Sequence, residues 1–150
     1  MPKVLVVDDH AFIRRGVNSI LQSFPEWELC AEAENGQEAV RLADELRPEV
    51  IIMDVSMPVL NGIEATRLIS RTHPEIKIVL LTLHDSAELL RSGFRAGARG
   101  YLLKSDAEQE LLKALRVVIG EGSYISPRID GQLIKSVIDE MQMKHSKGLQ

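Results

Sequence analysis

Five residues in this 150-residue chain carry side chains that could do chemistry together: Asp8-Asp9, Asp54, Thr82 and Lys104. Each stands at the end of a short apolar run that reads as a buried β-strand. Val4 to Val7 leads into Asp8-Asp9, Val50 to Met53 into Asp54, Ile76 to Leu81 into Thr82, and Gly100 to Leu103 into Lys104. Ligands of open parallel α/β sheets bind outside the carboxyl ends of the strands, so these groups are expected to converge on one site. Three carboxylates so close together repel unless a cation neutralises them. A divalent ion such as Mg²⁺ (or Mn²⁺) satisfies that demand, because it takes carboxylate oxygens and phosphate oxygens and retains water. Asp9 and Asp54 are the candidate direct ligands, Asp8 binds directly or through water, and the backbone carbonyl of Ser56 completes the protein's share. Asp54 is also the candidate nucleophile, since carboxylates form acyl phosphates in covalent phosphoryl transfer. Lys104 would bring a point charge to the phosphoryl oxygens and the Thr82 hydroxyl a hydrogen bond.

The elements that must position these groups are legible in the hydrophobic period. Ile13, Val17, Ile20, Leu21 and Phe24 mark one helical face, and Pro25 follows it. Trp27 to Ala33 can form a second strand. Asn35 caps a helix carrying Ala39, Val40, Ala43 and Leu46, and Asp106 caps one carrying Leu111, Leu112, Leu115, Val118 and Ile119. Further helices are expected from Ile63 to Thr72 and from Ser86 to Ala96. Strand and helix alternate five times, which argues for a doubly wound parallel sheet with helices on both faces. Tyr124 to Pro127 reads as a connector. Beyond it, Ile129, Leu133, Val137 and Met141, flanked by Ile134 and Ile138, form an amphipathic helix. That helix could dock on the domain, pair with another chain or lead to a second domain, and the final HSKGLQ reads as a frayed end.

Composition narrows the function. Hydrophobic residues make up 45% and charged residues 27%, ordinary for a soluble globular protein. The net charge of −4 gives no general reason to bind nucleic acid, and no apolar stretch approaches membrane-spanning length. The N-terminal apolar run is too short for a signal peptide, and the single Cys30 cannot form an intrachain disulfide. These features fit a reducing cytosol, with Cys30 a buried inert thiol.

VLVVDDH (Val4 to His10), IIMDVSMPVLNG (Ile51 to Gly62), VLLTLHD (Val79 to Asp85) and AGARGYLLK (Ala96 to Lys104) together closely resemble the receiver domain of bacterial two-component response regulators. The resemblance covers residues 1–122 and implies a flavodoxin-like five-stranded sheet of order 2-1-3-4-5. It implies that Asp54 is the phosphoacceptor for a sensor histidine kinase, and that Asp8, Asp9 and Asp54 form the Mg²⁺ pocket. Thr82, Lys104 and Tyr101 would be the switch residues, Tyr101 rotating into space that Thr82 vacates. Ser56, Leu83 and His84 would tune dephosphorylation, Leu83 by narrowing access to Asp54. The chain would be a cytoplasmic signalling receiver that catalyses only its own phosphoryl transfer and dephosphorylation.

LTLHD, YLLKSDA and LRVVIGEGSYISP further resemble regulators of the NarL/LuxR type, whose output is a C-terminal helix-turn-helix. No such pattern follows here. Residues 123–150 are therefore expected to be a linker toward an output domain absent from this sequence, with DNA contacted only through that domain and a homodimer forming on phosphorylation. A stand-alone receiver acting through protein contacts is the alternative. An aspartyl phosphatase of the haloacid dehalogenase type is disfavoured, because its DxDx motif is replaced by Asp8-Asp9-His10-Ala11. A flavodoxin-like cofactor binder is disfavoured because Asp8-Asp9 would repel a phosphate after the first strand.

Overall fold

The computed structural model describes residues 1–127, 129, 131 and 134–140. Strands β1 (Lys3–Val7), β2 (Glu28–Ala33), β3 (Val50–Asp54), β4 (Lys77–Thr82) and β5 (Gly100–Leu103) alternate with helices α1 (Ala11–Gln22), α2 (Gly36–Leu46), α3 (Gly62–Thr72), α4 (Ala87–Ala96) and α5 (Ala107–Ile119). All strand pairs are parallel, in the expected order 2-1-3-4-5. The connector expected at Tyr124 is instead a sixth strand, β6 (Tyr124–Ile125), parallel to β5 at the sheet edge. Two residues are too few to leave a period in the sequence.

The central strands are apolar throughout because helices cover both faces. On one face, Val17 and Leu21 of α1 and Leu111, Ala114, Leu115 and Val118 of α5 pack on Val4, Val6, Val50, Ile52, Val79 and Leu81. On the other, α2, α3 and α4 pack on Leu5, Ile51, Met53, Ile78 and Leu80. Alternate residues of one strand thus serve opposite cores.

Helix starts follow capping chemistry at three places. Asn35 Oδ1 accepts from the Glu38 N–H at 2.8 Å, Asn61 Oδ1 from the Glu64 N–H at 2.9 Å, and Ser86 Oγ from the Leu89 N–H at 3.2 Å. Asp106 departs from expectation. Its side chain makes no cap bond; it accepts instead from the Ser126 hydroxyl, and both residues are buried. Residues 134–140 are helical, and Ile129 and Val137 are buried in the same core as Leu90 and Ala96 of α4. Glu140 forms ion pairs with Arg91 and Arg95 of α4. Of the three roles open to this helix, docking on the domain is therefore observed. Leu133, Met141 and the HSKGLQ end lie outside the described residues.

The loop after β3 determines where Asp54 stands, and close backbone approach fixes it. The Gly62 N–H donates to the Val55 carbonyl at 2.9 Å, and the Gly36 N–H to the Leu60 carbonyl at 2.9 Å. A Cβ on Gly62 would lie 2.0 Å from the Asp54 carbonyl oxygen, a distance that no rotamer change can relieve. Gly62→Ala is therefore expected to lower stability by roughly 2 kcal/mol, the scale of overpacking in a close-packed interior. A drop in the urea midpoint, together with shifted amide resonances at Asp54 and Val55, would verify it.

Candidate functional site

The parallel register brings the strand ends together. Asp54, the last residue of β3, pairs with Leu81, and Thr82, the last of β4, pairs with Leu103. Asp8 follows β1 directly, its N–H donating to the Ala33 carbonyl at 3.0 Å. Lys104 begins a single 3₁₀ turn (Lys104–Asp106) after β5. From there it reaches back across the strand ends.

Lys104 Nζ lies 3.0 Å from Asp8 Oδ2 and 3.2 Å from Asp54 Oδ1. All three side chains are buried. The Ser56 N–H donates to Asp54 Oδ1 at 3.3 Å, while Asp54 Oδ2 is buried with no hydrogen-bond partner. Burial pushes the Asp54 carboxyl above its usual range, the Asp8 charge pushes it further, and Lys104 opposes both. For Lys104, burial pulls the ammonium down. Its hydrogen bond to Asp8 and the charges of Asp54 and Asp8 outweigh that, so its net shift is upward. Asp9 is more exposed than Asp8 at the rim of the same cluster.

Thr82 and Tyr101 form a second layer. The His84 N–H donates to Thr82 Oγ1 at 3.1 Å, and the Tyr101 hydroxyl donates to the His84 carbonyl at 3.0 Å. Burial raises the Tyr101 phenol, with its hydrogen bond to Thr82 opposing. The Tyr101 ring is fully buried, so it already holds the inward position that the sequence reading reached only by rotation. Leu83 and His84 are exposed, Leu83 to 74% of its surface.

Two residues escaped the sequence reading. His10 Nδ1 lies 3.1 Å from Asp8 Oδ1 and 3.1 Å from Asp9 Oδ1. The Arg14 guanidinium donates to the Asp8 carbonyl at 2.6 Å and pairs with Glu32 and Glu34. The signal was present: His10 follows the acidic pair directly as the N-cap of α1, and Arg14 lies one helical turn beyond it.

A family model described as the response regulator receiver domain matches residues 4–116. The chain belongs to this family. It is 40% identical over 133 residues to the transcriptional regulatory protein DegU of Brevibacillus brevis, covering 89% of this chain and 56% of DegU. It is 40% identical over 133 residues to the response regulator GacA of Pseudomonas aeruginosa, covering 89% of this chain and 62% of GacA. The chain thus spans a little over half the length of these two transcription and response regulators. Among solved structures, a LuxR-family two-component response regulator from Aurantimonas sp. SI85-9A1 superposes with a TM-score of 0.83 at 30% identity, over 94% of this chain and 98% of that one. The fold and acidic pocket are those of a receiver domain, a signalling module of two-component systems. No helix among the described residues is long and apolar enough to cross a membrane.

The pocket's donors fit a hard divalent cation. Asp8, Asp9 and Asp54 each offer an oxygen within 4.8 Å of the others, and the orphaned Asp54 Oδ2 is a buried acceptor in want of a positive partner. Two buried carboxylates against one ammonium leave the receiver's pocket under-neutralised. Asp54→Asn is therefore expected to raise stability in metal-free buffer, because it removes one of two buried negative charges that share a single ammonium. Because the folded pKa of Asp54 is raised, the native state is penalised once pH rises above the usual carboxylate range. The gap between variant and wild type should close as acid protonates Asp54. Thermal melts across pH with a chelator present measure both effects.

Proposed function

We propose that this receiver is a phosphorylation switch in which Asp54 accepts a phosphoryl group from the phosphohistidine of a sensor histidine kinase. The observation that carries this reading is the state of the Asp54 carboxylate. Its Oδ1 is held by Lys104 and the Ser56 N–H, while its Oδ2 is buried with no hydrogen-bond partner, so the carboxylate is oriented but not saturated. Attack by the Asp54 carboxylate on phosphorus forms the acyl phosphate, and the histidine nitrogen leaves with the bonding electrons. Asp8, Asp9, Asp54 and the Ser56 carbonyl would hold Mg²⁺ (or Mn²⁺), which when bound neutralises the repulsion between the carboxylate and the anionic donor. Lys104 supplies the second positive charge, close enough to follow the new phosphoryl oxygens.

The read-out follows from the second layer. A phosphoryl group on Asp54 adds negative charge and acceptor oxygens beside Lys104 and the Thr82 hydroxyl. Thr82 turning to these oxygens alters its bonds to His84 and Tyr101, at the junction of β4, α4 and β5. Since Tyr101 is inside already, phosphorylation would bias an existing arrangement, as expected of a population shift. Residues 1–122 form the receiver, and residues 123–150 link it to a C-terminal DNA-binding domain of the helix-turn-helix type. The output is transcriptional and accompanied by homodimerisation in the cytoplasm. Support for the transcriptional output comes from DegU, named as a transcriptional regulatory protein, of which the matched segment covers 56%.

Incubation with acetyl phosphate and Mg²⁺ should add one covalent phosphate, seen by intact mass, and should shift size-exclusion behaviour toward a dimer. Asp54→Ala should do neither; phosphate persisting in that variant would move the acceptor elsewhere. Ser56, Leu83 and His84 would tune the lifetime of the phosphoryl group by controlling the approach of water. Leu83→Ala is expected to speed phosphate loss by roughly threefold, a barrier change of about 0.7 kcal/mol. His84→Ala tests the other flank in the same decay measurement.

A further inference from the structure

His10 is an unassigned member of the acidic cluster, and its position is built by the backbone. Its N–H donates to Asp8 Oδ1 at 2.8 Å, which folds the residue back over the end of β1. The ring takes no part in capping α1, although His10 occupies the cap position. Nδ1 instead stands 3.1 Å from an oxygen of Asp8 and 3.1 Å from an oxygen of Asp9. Asp8, Asp9, His10 and Asp54 each present one donor atom, all within 4.8 Å of one another. Asp54, a member of this cluster, has its Oδ2 buried without a hydrogen-bond partner.

Neighbouring ligands of an octahedral ion with bonds of about 2.1 Å lie about 3.0 Å apart. The two Nδ1 separations match two such edges. The ring is 63% exposed, so it can place its lone pair on an ion without crossing a packed core. We propose that His10 supplies a nitrogen ligand to the ion held by Asp8, Asp9 and Asp54, and that it shifts the pocket's preference from Mg²⁺ toward Mn²⁺. An all-oxygen set suits hard ions such as Mg²⁺, which also parts with water reluctantly. Imidazole suits first-row transition ions, whose bond to nitrogen is worth the exchange. His10 is thus a specificity-determining residue. Arg14 strengthens the arrangement by binding the Asp8 carbonyl at 2.6 Å, which holds the turn that carries all three consecutive donors.

The inference rests on the reading that the three aspartates hold the ion, and the test separates the two. Calorimetric titration of the full chain with MgCl₂ and with MnCl₂ is compared for wild type, His10→Ala and Asp54→Ala. Pulsed electron paramagnetic resonance of the Mn²⁺-loaded protein reports nitrogen coordination directly. His10→Ala should weaken Mn²⁺ binding by roughly tenfold, the lower end of losses seen when a metal site is disturbed, and leave Mg²⁺ within about twofold. The nitrogen coupling should be present in wild type and lost in His10→Ala. Absence of that coupling in wild type, or equal weakening of both ions in His10→Ala, overturns the role of His10. Undiminished Mn²⁺ binding in Asp54→Ala overturns the aspartate pocket itself. Because the His10 ring is exposed, its removal leaves the fold intact, which a thermal melt verifies.

Discussion

The contact on which the rest depends is a buried ammonium shared by two buried carboxylates. Lys104 Nζ sits 3.0 Å from Asp8 and 3.2 Å from Asp54, and none of the three side chains keeps appreciable access to water. Ions this dehydrated persist only with close opposite charge and hydrogen bonds. The arithmetic of the site leaves it short by one positive charge, which is why burial and Asp8 together push the Asp54 carboxyl up even with Lys104 beside it. Every other feature of this end of the molecule either holds those three groups in reach or answers the deficit.

A parallel sheet is the economical way to hold them. Each of the four side chains that meet here comes from a different strand, and the in-register ends of β1, β3, β4 and β5 deliver them within one small volume. The covering helices make the strands apolar on both faces, so no strand can slide without exposing its core side chains. The remaining freedom lies in the loops. The segment after Asp54 gives that freedom up through backbone contacts at Gly36 and Gly62, where a side chain would collide with the neighbouring carbonyl. Rigid placement of Asp54 and under-neutralised charge around it are two consequences of one design.

What could be read from the sequence divides along physical lines. The apolar runs ending in Asp8, Asp54, Thr82 and Lys104 were legible because a strand buried on both faces must be continuously apolar. The cap at Asn35 was legible because capping is local. Asp106 had the right type and place for a cap, but a partner twenty residues on, Ser126, takes its side chain, and long-range pairing leaves no local mark. β6 was missed because two residues have no period. His10 was set aside because an acid was sought at that position, although imidazole beside two carboxylates is itself a donor set. The inward state of Tyr101 depends on the His84 carbonyl, whose position only the folded loop determines.

The same Asp106–Ser126 pair ties the site to the end of the described chain. Lys104 and Asp106 share one 3₁₀ turn, so a pull on the lysine acts on the aspartate two residues away. Asp106 holds Ser126, whose N–H also donates to the Tyr101 carbonyl at 2.9 Å. From Ser126 the chain passes through buried Ile129 to the helix at residues 134–140, where Val137 is buried and Glu140 engages α4. Two of the proposed switch residues therefore bear on a single serine, Lys104 through Asp106 on its hydroxyl and Tyr101 on its N–H. Close-packed interiors shift between discrete arrangements more readily than they deform smoothly. On the proposed reading, phosphoryl transfer at Asp54 reaches the linker through this short path, and α4 is already in contact with the segment it would have to move.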